Sequence, residues 1–178
     1  MTVDARVVSA EELLDLPDDG WRYELVEGEL RKMSPAGGDH GALALRIAIR
    51  FGSYVEQHCL GQAYSSQTGF VVSRDPDTVL EPDLAFVRAE RVVRTPGFIP
   101  GPPDVAFEVV SPSDRYTELA QKIDRYLRAG TNVVVMVDPC RLSVTVHSLA
   151  GVTSVSDTLT LPDAVPGWSM TLDDIFGA

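Results

Sequence analysis

Cysteine is scarce in this sequence. The 178 residues include two, Cys59 and Cys140, in no metal-like spacing. That excludes a disulfide framework and a cysteine zinc site, and points to a reduced, cytoplasmic setting. Long apolar runs are missing too. The longest aliphatic stretch, "VVVMV", is far too short to cross a membrane, so no membrane partner is expected. The N-terminal stretch has no apolar core and carries Asp4, Glu11, Glu12 and Asp15, so no signal peptide is expected. "SPAGGD" lacks the lysine and spacing of a P-loop, and "SPS" (111–113) lacks the G-x-S-x-G frame of a nucleophile elbow. Repeats and low-complexity tracts are absent. Positive charge is in short supply: 15 Lys and Arg face 26 Asp and Glu, for a net charge of −11. Loose attachment to nucleic acid, which works by cations displacing counterions, is disfavoured. A locally basic cleft is not, and the acidic balance suits a site that collects cations.

What is present reads as one domain, 1–178, with an ordinary 44% of hydrophobic residues. Ser9 and Glu12 have capping-box spacing, and Pro17 follows, so a short helix is predicted. "WRYELVEGELRKM" reads as two strands about a tight turn at Glu27-Gly28. Leu43, Ile47, Phe51, Tyr54, Val55 and Cys59 keep a helical period from His40 to His58, with Asp39 as N-cap and Gly61 as stop. "AYSSQ", "GFVVS" and "DLAFV" read as strands, and residues 88–103, rich in Pro, Gly and Arg, as a mobile loop. "DVAFEVV" is a strand, "RYTELAQKIDRYLRA" a helix stopped by Gly130, "NVVVMVD" a strand covered on both faces and "RLSVTVHSL" a half-exposed one. Short strands and a last helical turn close the chain. This pattern predicts an α/β fold with a mixed sheet flanked by helices.

One residue is out of keeping with its surroundings. In "DVAFEVV", Glu108 stands among Val105, Phe107, Val109 and Val110. An unpaired carboxylate in a dry interior costs several kcal/mol, so something must satisfy it. Strand geometry places Ala106, Glu108 and Val110 on one face and Val105, Phe107 and Val109 on the other. Upstream, "EPDLAFV" puts Asp83 at the mouth of another strand. If the strands are neighbours, two carboxylates converge, and a divalent cation relieves their repulsion. Oxygen ligands of this kind suit Mg²⁺ or Mn²⁺, which can activate water against a phosphoryl group.

"EPD" (81–83), "FEVVSPS" (107–113), the series Lys122, Tyr126, Ala129-Gly130, and "VDP" (137–139) together resemble the Uma-type putative restriction endonucleases of the PD-(D/E)xK nuclease superfamily. The likeness extends to "YELVEGEL", His40 and "PGWSMTLDDIF". It implies a restriction-endonuclease-like domain, Mg²⁺-dependent phosphodiester hydrolysis with DNA as partner, and Asp83 and Glu108 as metal ligands. The superfamily lysine, two residues after the acid, is replaced by Val110. The resemblance makes Lys122 its migrated substitute, reaching Glu108 along the helix margin. The alternative is a surface pair with Glu118, four residues before it.

The resemblance makes Glu24 a candidate third acidic group; a solvated strand face is the other reading. His40 is placed to meet substrate or simply to open the helix. His58 reads as a helix-end dipole partner, Ser113 as a cap, and His147 has no assigned role. Arg46 and Arg50, with Arg88, Arg91 and Arg94, are the best candidates for phosphate contacts, with a solvated surface arginine the favoured reading of any single one. A rival to the enzyme is a nuclease-fold binding module without cleavage, and a homodimer fits enzymes that cut two strands.

Overall fold

In the computed structural model, residues 8–17, 19–112 and 115–177 are described. Helix α1 (Ala10–Leu14) has the predicted capping box: Ser9 Oγ accepts from Glu12 N at 3.1 Å, and Glu12 Oε2 accepts from Ser9 N at 3.0 Å. Strands β1 (Arg22–Val26) and β2 (Glu29–Met33) form the predicted hairpin. Glu27 and Gly28 both have positive φ, 54° and 80°, the backbone that matches strand twist in a two-residue turn.

Helix α2 (Gly38–Gln57) buries Leu43, Ile47, Phe51 and Val55, the predicted stripe. Its ends differ from expectation. The N-cap is Gly37, and Asp39 lies in the first turn, where its charge favours the helix dipole. Cys59 is exposed past the C-cap, His58. Gly61 opens β3 (Gly61–Ser65) instead of stopping the helix; a Cβ there would lie 2.1 Å from the Val87 carbonyl oxygen. β4 (Phe70–Ser73) follows, then β5 (Thr78–Leu80) and β6 (Leu84–Arg88).

Residues 88–103 are not a plain loop. They hold a single 3-10 turn, Ala89–Arg91, and a two-residue strand, β7 (Ile99–Pro100). Buried Asp104 ties the segment down, accepting from Arg88 N at 2.9 Å and pairing with Arg91 at 2.9 Å. After it come β8 (Val105–Val109), α3 (Tyr116–Ala129), β9 (Val133–Asp138), β10 (Ser143–Ser148), β11 (Gly151–Ser154), β12 (Thr158–Thr160), β13 (Ser169–Thr171) and α4 (Leu172–Phe176). Gly130 caps α3 in the left-handed conformation, as expected. The cap predicted at Ser113 lies outside the described residues.

The main sheet runs β11-β10-β9-β8-β6-β3, antiparallel except for the parallel pair β8–β9 that α3 bridges. A second mixed sheet, β2-β1-β5-β4-β7, and the β12–β13 ladder complete the strands. The fold is α/β with mixed sheets and flanking helices, as predicted, although strands expected in one sheet divide between two. One face of the main sheet packs on α2, where Phe51 meets Phe107 and Trp168 edge-on, each at 5.1 Å between centroids. The other face, with Ala106 and Val110, packs on Leu119, Ile123 and Tyr126 of α3 and on the second sheet.

Candidate active site

β6 and β8 pair antiparallel, with Leu84 opposite Phe107. Asp83 stands just before β6, at the level of Glu108. Its N–H donates to the Phe107 carbonyl at 3.0 Å, and its Oδ2 accepts from Val109 N at 2.8 Å. The carboxyl is thus pinned to the strand that carries Glu108. His40, at the start of α2, places Nε2 3.1 Å from the same Oδ2. That contact requires the proton on Nε2.

α3 lies across this face and turns Leu119, Ile123 and Tyr126 into the core. Lys122 sits at the margin of that stripe, and its stem carries Nζ inward. Nζ is 2.8 Å from Glu24 Oε1, 2.9 Å from Glu108 Oε1, 3.1 Å from Glu108 Oε2 and 2.9 Å from the Glu81 carbonyl oxygen. The surface pair with Glu118 is not formed; Glu118 leans to Arg115 at 3.7 Å. Glu24 is 6% exposed, so the solvated-strand reading fails: its Oε1 also accepts from Glu81 N at 2.8 Å. All five predicted site residues, Glu24, His40, Asp83, Glu108 and Lys122, line one cavity of about 300 Å³.

The charges do not balance. Lys122 faces Glu24 and Glu108, with Asp83 close behind. Burial, reinforced by Asp83 and Glu24 and opposed by Lys122, pushes the Glu108 carboxyl up to about 8. Burial works against the charge on Lys122, yet Glu108 and Glu24 outweigh it and hold its pKa above that of an ordinary lysine. Tyr126, one turn after Lys122, is wholly buried; burial first, then Glu108 and Glu24, push its phenol well up.

The donor chemistry suits a hard divalent cation. Glu108 Oε1 is buried beside Nζ at a distance for ion pairing but without the geometry of a hydrogen bond, an under-satisfied oxygen in a site of excess negative charge. Both contacts of Asp83 fall on Oδ2, so among the described residues Oδ1 receives no donor. Among those residues no group of three or more His, Cys, Asp or Glu side chains is arranged to cage an ion. Two carboxylates, with water and phosphate oxygens completing the shell, is the arrangement Mg²⁺ accepts.

The arginines are the main correction. Arg46 donates to the Ile175 carbonyl at 2.8 Å, and Arg50 pairs with Asp174 at 2.7 Å. Arg88 and Arg91 serve Asp104. None of these, nor Arg94, lines the cavity; Arg22, Arg31, Lys32, Arg115 and Arg125 do. Sequence reasoning missed that set, though the Glu27-Gly28 turn already fixed Arg31 opposite Glu24. His58 Nδ1 lies 2.9 Å from the Tyr54 carbonyl oxygen at the helix end, and His147 contacts Thr145 at 2.9 Å, away from the site.

The family model Uma2, described as putative restriction endonuclease, matches residues 10–173. The chain belongs to the Uma2 family. A crystal structure of a putative nuclease belonging to DUF820 from Anabaena variabilis ATCC 29413 is similar to this Uma2 chain with a TM-score of 0.81. It covers 96% of this chain and 98% of its own, at 21% identity, and shares the restriction-endonuclease-like fold. No curated protein matches. No helix among the described residues of this Uma2 protein is long and apolar enough to cross a membrane.

Proposed function

We propose that the protein is a divalent-cation-dependent endonuclease that hydrolyses phosphodiester bonds of DNA. Asp83 and Glu108 would hold Mg²⁺ or Mn²⁺, which when bound supplies Lewis acidity and a water more acidic than bulk. The observation that carries the reading is the delivery of Lys122 Nζ to 2.9 Å from Glu108 although position 110, where the superfamily lysine belongs, is valine.

Each residue has a separable task. Val109 N and His40 orient the Asp83 carboxyl. Glu24 and the Glu81 carbonyl hold the amine beside Glu108. In the resting site Lys122 Nζ donates to the Glu81 carbonyl and to Glu108 Oε2 and pairs with Glu24 at 2.8 Å. Two of its three N–H groups are thus spent on protein oxygens, and one is left to meet water or a phosphate oxygen. A positive group held there steadies the charge that develops on phosphate oxygens.

The test is nicking of supercoiled plasmid with and without Mg²⁺, in wild type and in Glu108→Gln. Cation-dependent nicking that the variant loses is the expected result. Equal nicking by both proteins refutes the assignment of Glu108. Calorimetric binding of Mg²⁺, lost in Asp83→Ala, without any nicking would favour the second reading, a binding module; the amine's engagement with protein oxygens is the observation behind it.

A further inference from the structure

The charge of this chain is unevenly spread. Of its 15 Lys and Arg, six line the cavity: Arg22, Arg31, Lys32, Arg115, Lys122 and Arg125. Five carboxylates line it with them, Glu24, Glu81, Asp83, Glu108 and Glu118, so a chain of net charge −11 lines this cavity without net negative charge. Most of the six have internal tasks. Lys122 belongs to the carboxylate cluster, Arg22 pairs with Glu81, Arg125 with Glu27 at 3.5 Å and Arg115 with Glu118 at 3.7 Å.

Arg31 and Lys32 differ. Both are exposed on β2. The hairpin register sets Arg31 directly across from Glu24, so the two side chains leave the ribbon on the same face. The Glu24 carboxylate is already taken by Lys122 and the Glu81 N–H, and Arg31 has no acidic partner among the described residues. Lys32 lies over the Trp21 ring, its Nζ 3.3 Å from the ring centroid. Lys32 stands opposite Tyr23, on the other face of the ribbon, where its charge acts on Asp19. One uncancelled cation, Arg31, with a planar fork suited to phosphate oxygens, therefore stands at the wall of a pocket lined by carboxylates.

We infer that the β1–β2 hairpin is a substrate clamp, in which Arg31 grips the phosphate backbone of a nucleic-acid strand whose reacting bond lies over Asp83 and Glu108. The inference rests on the nuclease reading and deepens it by naming the residues that hold the polymer. It explains how a protein this acidic binds a polyanion: attraction is confined to one wall, and the acidic remainder discourages attachment elsewhere.

Binding, read apart from cleavage, tests it. Fluorescence anisotropy with a labelled oligonucleotide, single-stranded in one arm and duplex in the other, is followed over a salt series in EDTA. Arg31→Ala is expected to weaken binding about tenfold and to lower the slope of log K against log salt by about one. Arg31→Lys keeps the slope. Arg128→Ala, the same charge change on an exposed residue that does not line the cavity, alters neither quantity. The stronger arm names the substrate form. An Arg31→Ala protein that binds like wild type, an Arg128→Ala protein that loses as much, or a wild type that binds neither arm overturns the clamp. Wild type that binds through Arg31 but never nicks DNA with Mg²⁺ overturns hydrolysis and leaves the clamp standing.

Discussion

Phe107 and Glu108 are neighbours on β8, 1% and 6% exposed, and they point opposite ways. Phe107 enters a face built from Phe51, Phe86, Val105, Val109 and Trp168, where each side chain gains by leaving water. Glu108 enters a face of similar depth where leaving water is a loss, made good only by Lys122 from the next helix and by a proton or a cation. The difference teaches that one five-residue strand can carry a face sufficient to itself and a face that depends on partners. The apolar face is content with its own kind. The ionic face is left short of positive charge, and that shortage is what a divalent ion would meet.

The comparison can be broken from either side. Phe107→Ala attacks the self-sufficient face and is expected to cost about 3–5 kcal/mol, lowering Tm by roughly 10 °C in calorimetry. Lys122→Met attacks the dependent face. It strands Glu24 beside Glu108, and a loss of about 2–3 kcal/mol is expected, below the usual figure for a broken buried pair because Glu108 already holds a proton below about pH 8. Adding Glu108→Gln to Lys122→Met should return most of that stability in denaturant titration while plasmid nicking stays absent. Full recovery of both would mean the ionic face is structural.

Proton uptake sharpens the contrast. The folded-state pKa of Glu108, about 8, lies above its ordinary 4.5, so the native state holds a proton that the unfolded chain has released. That contribution to stability is complete below about pH 4.5 and is lost as pH rises through 8. Lys122, held charged throughout, adds no slope in this window. Without divalent cations, wild-type Tm is therefore expected to fall relative to Glu108→Gln between those pH values, by roughly 10 °C. Parallel curves would show that Glu108 is ionised throughout. The smallest effect is expected of His40→Ala. Asp83 keeps its bond from Val109 N, so stability should move by less than about 1 kcal/mol while nicking falls about tenfold.

Much of this was legible in sequence because it is local. The alternation of β8, the stripe of α3 and the Glu27-Gly28 turn each depend on neighbouring residues, and the structure keeps all three. For Lys122 the spacing suits a pair with Glu118 equally well; the family resemblance is what points it towards Glu108, 2.9 Å from its Nζ. β5 and β7, with three and two residues, are too short to show a period. Glu24 was ambiguous because alternation says which residues share a face but not what covers it. The arginines went wrong for the same reason: Arg50, Arg88 and Arg91 find carboxylates far along the chain or across a loop, and no spacing announces such partners. Arg31 was within reach, since the turn fixes its register.

β8 and β9 are parallel neighbours, so the chain between them must travel back over the sheet, and α3 is that return path. Topology thereby lays a helix above the acidic strand whatever the helix is made of, and any residue on its inner margin inherits access to the carboxylates. The point of attachment of the amine is open to drift, while its destination is fixed. On the proposed nuclease reading, a scan for an acid and a lysine two positions apart on one strand would pass over a centre assembled this way, because the amine would hold its address in space without that address in the chain.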